Sequence, residues 1–126
     1  MTKQTVLVVD DDADIRAFSK TSFESWDFGV VTAEDGAEAV ASAADIEADL
    51  IPFDMNMPSV SDFEAARQIH ATGKHSKTPI IAVTAHTSPG DRGEAYQAGC
   101  DAIVTKPIDP QKLSQAVTDL KGPLQP

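Results

Sequence analysis

The chain has 126 residues, of which 41% are hydrophobic and 24% are charged. This length and composition predict one folded domain with its own core and argue against disorder. Ten basic residues against 20 acidic ones leave a formal net charge of −10, which disfavours partners such as nucleic acid or an anionic membrane. The single cysteine cannot form an intrachain disulfide and no apolar run is long enough to cross a bilayer, so we expect a soluble cytoplasmic protein.

Short apolar runs alternate along the chain with segments that have helical spacing or helix start signals. The predicted strands are Val6–Val9, Val30–Ala33, Leu50–Phe53, Ile80–Val83 and Ala102–Val104. The first helix is predicted from the apolar face between Ile15 and Trp26. Four more helices are predicted from N-cap signals at Asp35 with Glu38, Ser61 with Glu64, Ser88-Pro89 and Asp109-Pro110.

Strands that alternate with helices predict right-handed crossovers and a mostly parallel sheet with helices on both faces. We expect a single domain over residues 1–126, with a core from about residue 4 to 121 and a tail at 122–126. Pro52 lies inside the third predicted strand. Because proline has no N–H to donate to a neighbouring strand, we expect a local irregularity there.

Residues with a carboxylate, hydroxyl or ammonium group follow four of the predicted strands. Asp10 and Asp11 follow the first, Asp54 the third, Thr84 the fourth and Lys106 the fifth. Each one alone is an ordinary cap or turn residue. Because sites in open parallel sheets form beyond the carboxyl ends of the strands, the coincidence of all of them predicts one shared crevice.

That crevice would hold three carboxylates that repel one another. A pair of like charges 4 Å apart costs about 4 kcal/mol at an effective dielectric of 20, so a cation or a proton must offset the repulsion. Oxygen ligands favour Mg²⁺. Together with Lys106 and Thr84, these groups would neutralise a phosphoryl group in transfer. Asp54 is then the predicted nucleophile, which forms an aspartyl-phosphate, and Asp10 and Asp11 are the predicted metal holders.

Four segments carry a resemblance to a known family. In chain order they are VLVVDDD, DLIPFDMNMP, PIIAVTAH and AGCDAIVTKPID. The chain resembles the receiver domain of two-component response regulators, and specifically the chemotaxis-regulator type, over nearly its whole length. The resemblance implies a single three-layer, flavodoxin-like α/β domain, with five helices around a five-stranded parallel sheet of order 2-1-3-4-5.

The resemblance also implies a function. The chain would be a phosphoacceptor switch module, and not an enzyme that turns over a free substrate. A histidine kinase or a histidine phosphotransfer protein would donate the phosphoryl group, with Mg²⁺ as the cofactor. The surface around residues 85–106 would then change state and signal to a downstream protein that the sequence does not identify.

The family pattern assigns the phosphoacceptor and the metal ligands residue by residue. Asp54 would accept the phosphoryl group and contribute to the metal site. Asp11 would bind Mg²⁺ directly, and Asp10 would bind it directly or through water. The backbone carbonyl of Asn56 would complete the protein ligands, and the Asn56 side chain would influence how fast water removes the phosphoryl group.

A second group of residues would hold the phosphoryl group and respond to it. Lys106 would pair with its oxygens, and Thr84 would move to donate a hydrogen bond and pull Ala85 and the following loop with it. His86 would modulate hydrolysis. Pro107 occupies the family's cis-proline position.

Three departures from the family pattern are present. Ser61 and Asp62 stand where the family usually has Asp-Gly, which removes a permissive glycine. Ile103 stands where the family often has an aromatic ring that rotates as the threonine moves, so we place it among the modulating positions. The third departure is Pro52.

Other functions remain open at this stage. The departures at Asp62 and Ile103 motivate a receiver-like binding module that takes no phosphate. A small aspartyl-phosphate phosphatase is disfavoured because Asn56 stands where dehalogenase-type enzymes need a second Asp, and because the chain is too short for a lid domain. A flavodoxin-like electron carrier is disfavoured because the first loop is acidic where an FMN phosphate needs donors.

Several other side chains have simpler predicted roles. His70 and His75 are predicted to be surface residues of the third helix and the following loop. Cys100 is predicted to be a small, partly buried packing residue. Phe23 and Trp26 are predicted to belong to the core.

Overall fold

The computed structural model describes residues 4–55, 60–85 and 88–122 of the chain. The strands are β1 (Thr5–Val9), β2 (Gly29–Ala33), β3 (Ile51–Asp54), β4 (Ile80–Thr84) and β5 (Ala102–Thr105). The helices are α1 (Ala13–Ser25), α2 (Gly36–Asp45), α3 (Val60–Ala71), α4 (Pro89–Gln97) and α5 (Pro110–Lys121). A short 3₁₀ turn at Gly73–His75, which was not predicted, follows α3.

The five strands form one parallel sheet in the order β2-β1-β3-β4-β5. This confirms the predicted fold class and strand order. Val9 at the end of β1 pairs with Phe53 in β3, so Asp10 and Asp54 follow side by side. All strand carboxyl ends lie at the same edge, as parallel pairing requires.

The sheet separates two apolar clusters, because successive side chains of a strand point to opposite faces. One cluster includes Leu7 and Val9 of β1 and packs against α2, α3 and the end of α4. The other includes Val6 and Val8 and packs against α1 and α5. The result is a three-layer domain in which the sheet edge, and not its covered faces, is available to a ligand. Within the described ranges, no helix has the length and hydrophobicity that crossing a bilayer requires.

Pro52 disturbs the pairing on one side of β3 only. This strand pairs with β4 along its whole length. With β1 it pairs only at Phe53, and an isolated bridge joins Val6 of β1 to Leu50 just before β3. The N–H of Ile51 donates to the carbonyl oxygen of Pro79, just before β4, at 2.9 Å. Because alternate residues of a strand face opposite neighbours, the nitrogen of Pro52 faces β1 and has no proton to donate. The predicted irregularity is confirmed and lies on the β1 side.

The predictions that Phe23 and Trp26 belong to the core are confirmed, and Cys100 is a packing residue that is more deeply buried than predicted. Phe23 is fully buried and Cys100 is 4% exposed. Trp26 packs edge-to-face on Phe23 with ring centroids 5.5 Å apart. Burial raises the pKa of the Cys100 thiol to about 12, so this cysteine is an inert packing residue.

The prediction that His75 lies on the surface is wrong. This side chain is 1% exposed, and its Nε2 accepts a hydrogen bond from the N–H of Ala48 at 3.1 Å. Burial lowers the pKa of His75, which keeps the ring neutral. His70 is half-buried, and its Nε2 lies 2.7 Å from the carbonyl oxygen of Thr78. The His75 ring ties segments that lie 27 residues apart, which a polar local sequence cannot reveal.

Candidate functional site

Three aspartates meet at the carboxyl edge of the sheet. One carboxylate oxygen from each of Asp10, Asp11 and Asp54 lies within 4.8 Å of the other two. Asp10 and Asp54 are 4% and 7% exposed, whereas Asp11 is exposed. The convergence predicted from the strand ends is therefore confirmed for these three residues, which form an acidic cup that is open on one side.

The turn between β1 and α1 holds Asp10 through several contacts. The Asp10 N–H donates to the carbonyl oxygen of Ala33 at 3.1 Å, and Oδ1 of Asp10 accepts from the N–H of Asp12 at 2.8 Å. Its carbonyl oxygen accepts from Nη1 of Arg16 at 2.7 Å. Asp12 in turn caps α1 by accepting two N–H groups of its first turn, at 2.8 and 3.2 Å.

Lys106 faces the predicted phosphoacceptor. Its Nζ lies 2.7 Å from Oδ1 of Asp54, and the two side chains are 19% and 3% exposed. This short contact between opposite charges compensates part of the charge of the buried Asp54 carboxylate. The peptide bond from Lys106 to Pro107 is cis, as predicted.

Burial and mutual repulsion make the cup costly to ionise. Burial raises the pKa of Asp54 to about 7, the charge of Asp10 adds to this rise, and Lys106 opposes it. Burial likewise raises the pKa of Asp10. A carboxyl group with a raised pKa gains from either a proton or a cation, so the electrostatics of the cup fit a bound metal ion.

Thr84 and Ala85 lie beside Lys106 at the ends of β4 and β5. Thr84 is 4% exposed, and its carbonyl oxygen accepts a hydrogen bond from the N–H of Lys106 at 2.9 Å. Ala85 follows it and is exposed. The sheet therefore brings these three predicted residues to neighbouring strand ends at the same edge as the aspartates.

Some predicted residues cannot be placed in the site. Asn56 and His86 lie outside the described residues, as do the side chains of Ser61 and Asp62. Ile103 is partly buried in β5 and packs against the apolar cluster on the α2–α4 face. The modulating roles of Asn56, His86 and Ile103 stay predictions.

Three residues at or next to the site, Arg16, Glu34 and Asp35, were not predicted there from the sequence. A cleft of about 140 Å³ next to the cup is lined by all three aspartates and also by Glu34 and Asp35. Oε1 of Glu34 lies 3.5 Å from Nη2 of Arg16. The available signal was that Glu34 directly follows the predicted strand β2. Nothing in the local sequence connects Arg16 to that strand.

The sheet order and the acidic cluster at its carboxyl edge are those of a signalling domain of the receiver class. Residues 6–118 match the family described as the response regulator receiver domain, and the chain belongs to this family. It is 35% identical over 108 residues to the transcriptional regulatory protein ResD of Bacillus subtilis, across 86% of this chain and 44% of ResD. The chain spans about half the length of the first curated relatives that it matches.

Solved structures support the same assignment. The chemotaxis protein CheY4 of Vibrio cholerae superposes with a TM-score of 0.88 at 31% identity, over 94% of this chain and 99% of CheY4. The receiver domain of the sensor histidine kinase PA1611 of Pseudomonas aeruginosa, which has a magnesium ion coordinated in its active-site cleft, superposes with a TM-score of 0.82 at 30% identity, over 94% and 97% of the two chains.

A third structure contains a complex. It is the co-crystal structure of the Saccharomyces cerevisiae histidine phosphotransfer protein Ypd1 with the receiver domain of Ssk1, and it matches with a TM-score of 0.82 at 29% identity, over 93% of this chain and 88% of that chain. The protein is therefore a receiver domain of the two-component signalling type.

Proposed function

We propose that the protein is a phosphoacceptor switch of a two-component phosphorelay, and that Asp54 is its acceptor. The observation that carries this proposal is the buried Asp54 carboxylate, which is grouped with Asp10 and Asp11 within 4.8 Å and lies 2.7 Å from the Lys106 ammonium. The grouping combines a nucleophile, metal ligands and a counter-charge for phosphoryl oxygens. Membership in the receiver family supports the same assignment.

Mg²⁺ is the proposed cofactor, held by Asp10, Asp11 and Asp54. Their oxygens suit a hard divalent ion, and the PA1611 receiver holds a magnesium ion in its cleft. The backbone carbonyl of Asn56 is proposed as a further ligand from the family pattern alone. When bound, Mg²⁺ supplies positive charge that offsets the carboxylates and the charge of the transferred group.

The proposed chemical step is an in-line phosphoryl transfer. A carboxylate oxygen of Asp54 attacks the phosphorus of a phosphohistidine, an O–P bond forms, the P–N bond breaks, and its electron pair returns to the imidazole nitrogen. Lys106 leaves its ion pair with Asp54 to hold the phosphoryl oxygens. The raised pKa of Asp54 opposes this step, so ionisation of the nucleophile depends on the nearby positive charges.

The transferred group is proposed to change the surface around residues 85–106. It adds negative charge and acceptor oxygens at Asp54. The Thr84 hydroxyl and the Lys106 ammonium follow these oxygens, and Ala85 moves with Thr84. Helix α4 lies within this segment and has only Ala95 as a fully buried residue, which supports a low cost of rearrangement.

The donor is proposed to be a histidine kinase or a histidine phosphotransfer protein, and the target an unidentified downstream protein. The Ssk1 receiver, crystallised with Ypd1, supports the second kind of donor. A receiver of this kind modifies itself, and its aspartyl-phosphate is lost to water. It is therefore not proposed as an enzyme acting on a free substrate.

The test uses small-molecule donors and a matched carboxylate. Wild type, Asp54→Asn and Asp49→Asn are incubated with acetyl phosphate and Mg²⁺, and phosphoryl uptake is measured by intact mass. Wild type and Asp49→Asn should be modified, whereas Asp54→Asn should not. Full uptake by Asp54→Asn would overturn the assignment of the acceptor, and no uptake by wild type, with beryllofluoride also failing to bind, would favour the binding module that takes no phosphate.

A further inference from the structure

We propose that Arg16 is a positioning residue. It would orient the metal-binding carboxylates through its hydrogen bond to the peptide group between Asp10 and Asp11. This inference rests on the proposed function, because it concerns the same metal site. It begins from a contact that neither the sequence pattern nor the family likeness assigns, the hydrogen bond from Nη1 of Arg16 to the Asp10 carbonyl oxygen at 2.7 Å.

The atom that accepts the hydrogen bond from Arg16 lies between the two aspartates. The carbonyl oxygen of Asp10 belongs to the peptide unit that connects Asp10 with Asp11. Because a peptide unit is planar and rigid, a hydrogen bond to this oxygen limits rotation on both sides of it. Arg16 thereby limits the directions of both carboxylates at once, although it touches neither.

Arg16 also connects two loops at the rim of the site. Its Nη2 lies 3.5 Å from Oε1 of Glu34, and Glu34 lines the cleft next to the cup. The Arg16 side chain is 18% exposed and that of Glu34 is 67% exposed. The backbone N–H of Arg16 donates to the carbonyl oxygen of Asp12 at 2.9 Å, in the first turn of α1. The guanidinium therefore ties the β1–α1 turn to the β2–α2 loop.

The charge of Arg16 and its positioning role would change Mg²⁺ binding in opposite directions. A positive charge beside a cation site opposes cation binding, and the Glu34 charge that Arg16 partly neutralises would favour it. If Arg16 acted through charge alone, its removal would tighten Mg²⁺ binding. If it acts by orienting the two carboxylates, its removal weakens Mg²⁺ binding. The two roles therefore predict opposite results.

Lysine provides the second distinction. It keeps the charge but lacks the planar fork that reaches the Asp10 carbonyl oxygen and Glu34 together. Arg16→Lys should therefore weaken Mg²⁺ binding under the positioning role and leave it unchanged under a role of charge alone. Lys20→Met is the matched control, because Lys20 also lies on α1 and forms an exposed ion pair with Glu24 at 2.9 Å.

The experiment measures the dissociation constant of Mg²⁺ by calorimetry for wild type, Arg16→Met, Arg16→Lys and Lys20→Met. We expect Arg16→Met to raise the constant roughly 10-fold, in the range seen for residues that orient metal ligands. Arg16→Lys should raise it by a smaller factor and Lys20→Met should leave it unchanged. The amide signal of Asp12, which donates to Asp10, should shift in both Arg16 variants in NMR spectra.

The rate of labelling by acetyl phosphate separates orientation from damage to the fold. At saturating Mg²⁺, both Arg16 variants should recover most of the wild-type rate, because the metal then orients its own ligands. Tighter or unchanged Mg²⁺ binding in both variants would overturn the inference and leave the proposed function intact. Absence of Mg²⁺ binding to wild type would instead overturn the proposed function. If Arg16→Met fails to fold, Arg16→Lys decides the outcome.

Discussion

Aspartates lie both where the strands begin, which is the amino edge of the sheet, and where they end, which is the carboxyl edge. Their contacts differ between the two edges. At the amino edge, Oδ2 of Asp49 accepts the N–H of Thr5 at 2.8 Å, and Oδ2 of Asp101 accepts the N–H of Ile80 at 3.0 Å. Each of these carboxylates satisfies the first backbone donor of a strand. At the carboxyl edge, Asp54 is more deeply buried, lies among other carboxylates, and has the Lys106 ammonium 2.7 Å from its Oδ1.

The contrast shows that partners, and not residue type, distinguish a ligand site from a cap. A carboxylate that accepts backbone N–H groups lowers the free energy of the fold. Carboxylates that are buried together raise it, and sequences retain such arrangements where function needs them. The two edges therefore predict different responses to the same substitution.

The largest difference should come from replacing one aspartate at each edge by asparagine. Asp54→Asn should reduce phosphoryl uptake roughly 100-fold or more, because the amide is a poor nucleophile. Asp49→Asn should keep uptake and lower the free energy of unfolding by about 1 kcal/mol, because a charge-assisted hydrogen bond is weakened. Uptake and urea unfolding, measured on both variants, provide the test. Equal loss of uptake in both would erase the distinction between the edges.

The affinity for Mg²⁺ should also respond differently to a substitution at each edge. Asp11→Asn should weaken Mg²⁺ binding roughly 10-fold or more, because the charge and number of the ligands set affinity for hard cations. Asp101→Asn serves as the control at the amino edge and should bind Mg²⁺ as wild type does. Calorimetric titration measures both, and an unchanged Asp11→Asn affinity would remove Asp11 from the ligand set.

A glycine at the amino edge should show how tightly that edge is packed. Gly99 has a φ of +99°, and a Cβ there would lie 2.5 Å from Nδ1 of His70, so Gly99→Ala should cost about 1–3 kcal/mol. Gly93 in α4 has open space around it, and Gly93→Ala should stabilise by about 0.5–1 kcal/mol. Urea unfolding distinguishes them. A neutral Gly99→Ala would contradict both the backbone strain and the close contact with His70.

The smallest effect should be a pH dependence of stability due to His75. Burial lowers its pKa in the folded state, so the unfolded chain takes up the proton first as the pH falls below about 6.5. The stabilising contribution of the neutral His75 ring to the free energy of unfolding is complete above that pH. It is lost as the pH falls towards the lowered pKa of His75. Unfolding of wild type and His75→Gln at about pH 7.5 and about pH 5.5 should show a larger decrease in wild type. Equal decreases would show that His75 titrates normally.

Much of the fold was predictable because the core strands are local patterns. The apolar runs predicted all five strands, and Pro52 predicted a local irregularity in β3, which the structure places on the β1 side. The burial of His75 was not predictable, because it depends on a hydrogen bond to Ala48, 27 residues away. The hydrogen bond from Arg16 to the Asp10 carbonyl oxygen was also not predictable from the sequence pattern, because it involves a backbone atom. Strand-end residues indicated the site, while the contacts that orient them required the structure.

The central claim is that Asp54 carries the phosphoryl group. Wild-type protein treated with acetyl phosphate and Mg²⁺ can be reduced with borohydride, which converts an aspartyl-phosphate into homoserine, and then digested for peptide mass spectrometry. We expect homoserine at position 54 and at no other aspartate, with the signal lost when Mg²⁺ is removed by a chelator. Homoserine at Asp10 or Asp11, or none at all in phosphorylated protein, would contradict the account.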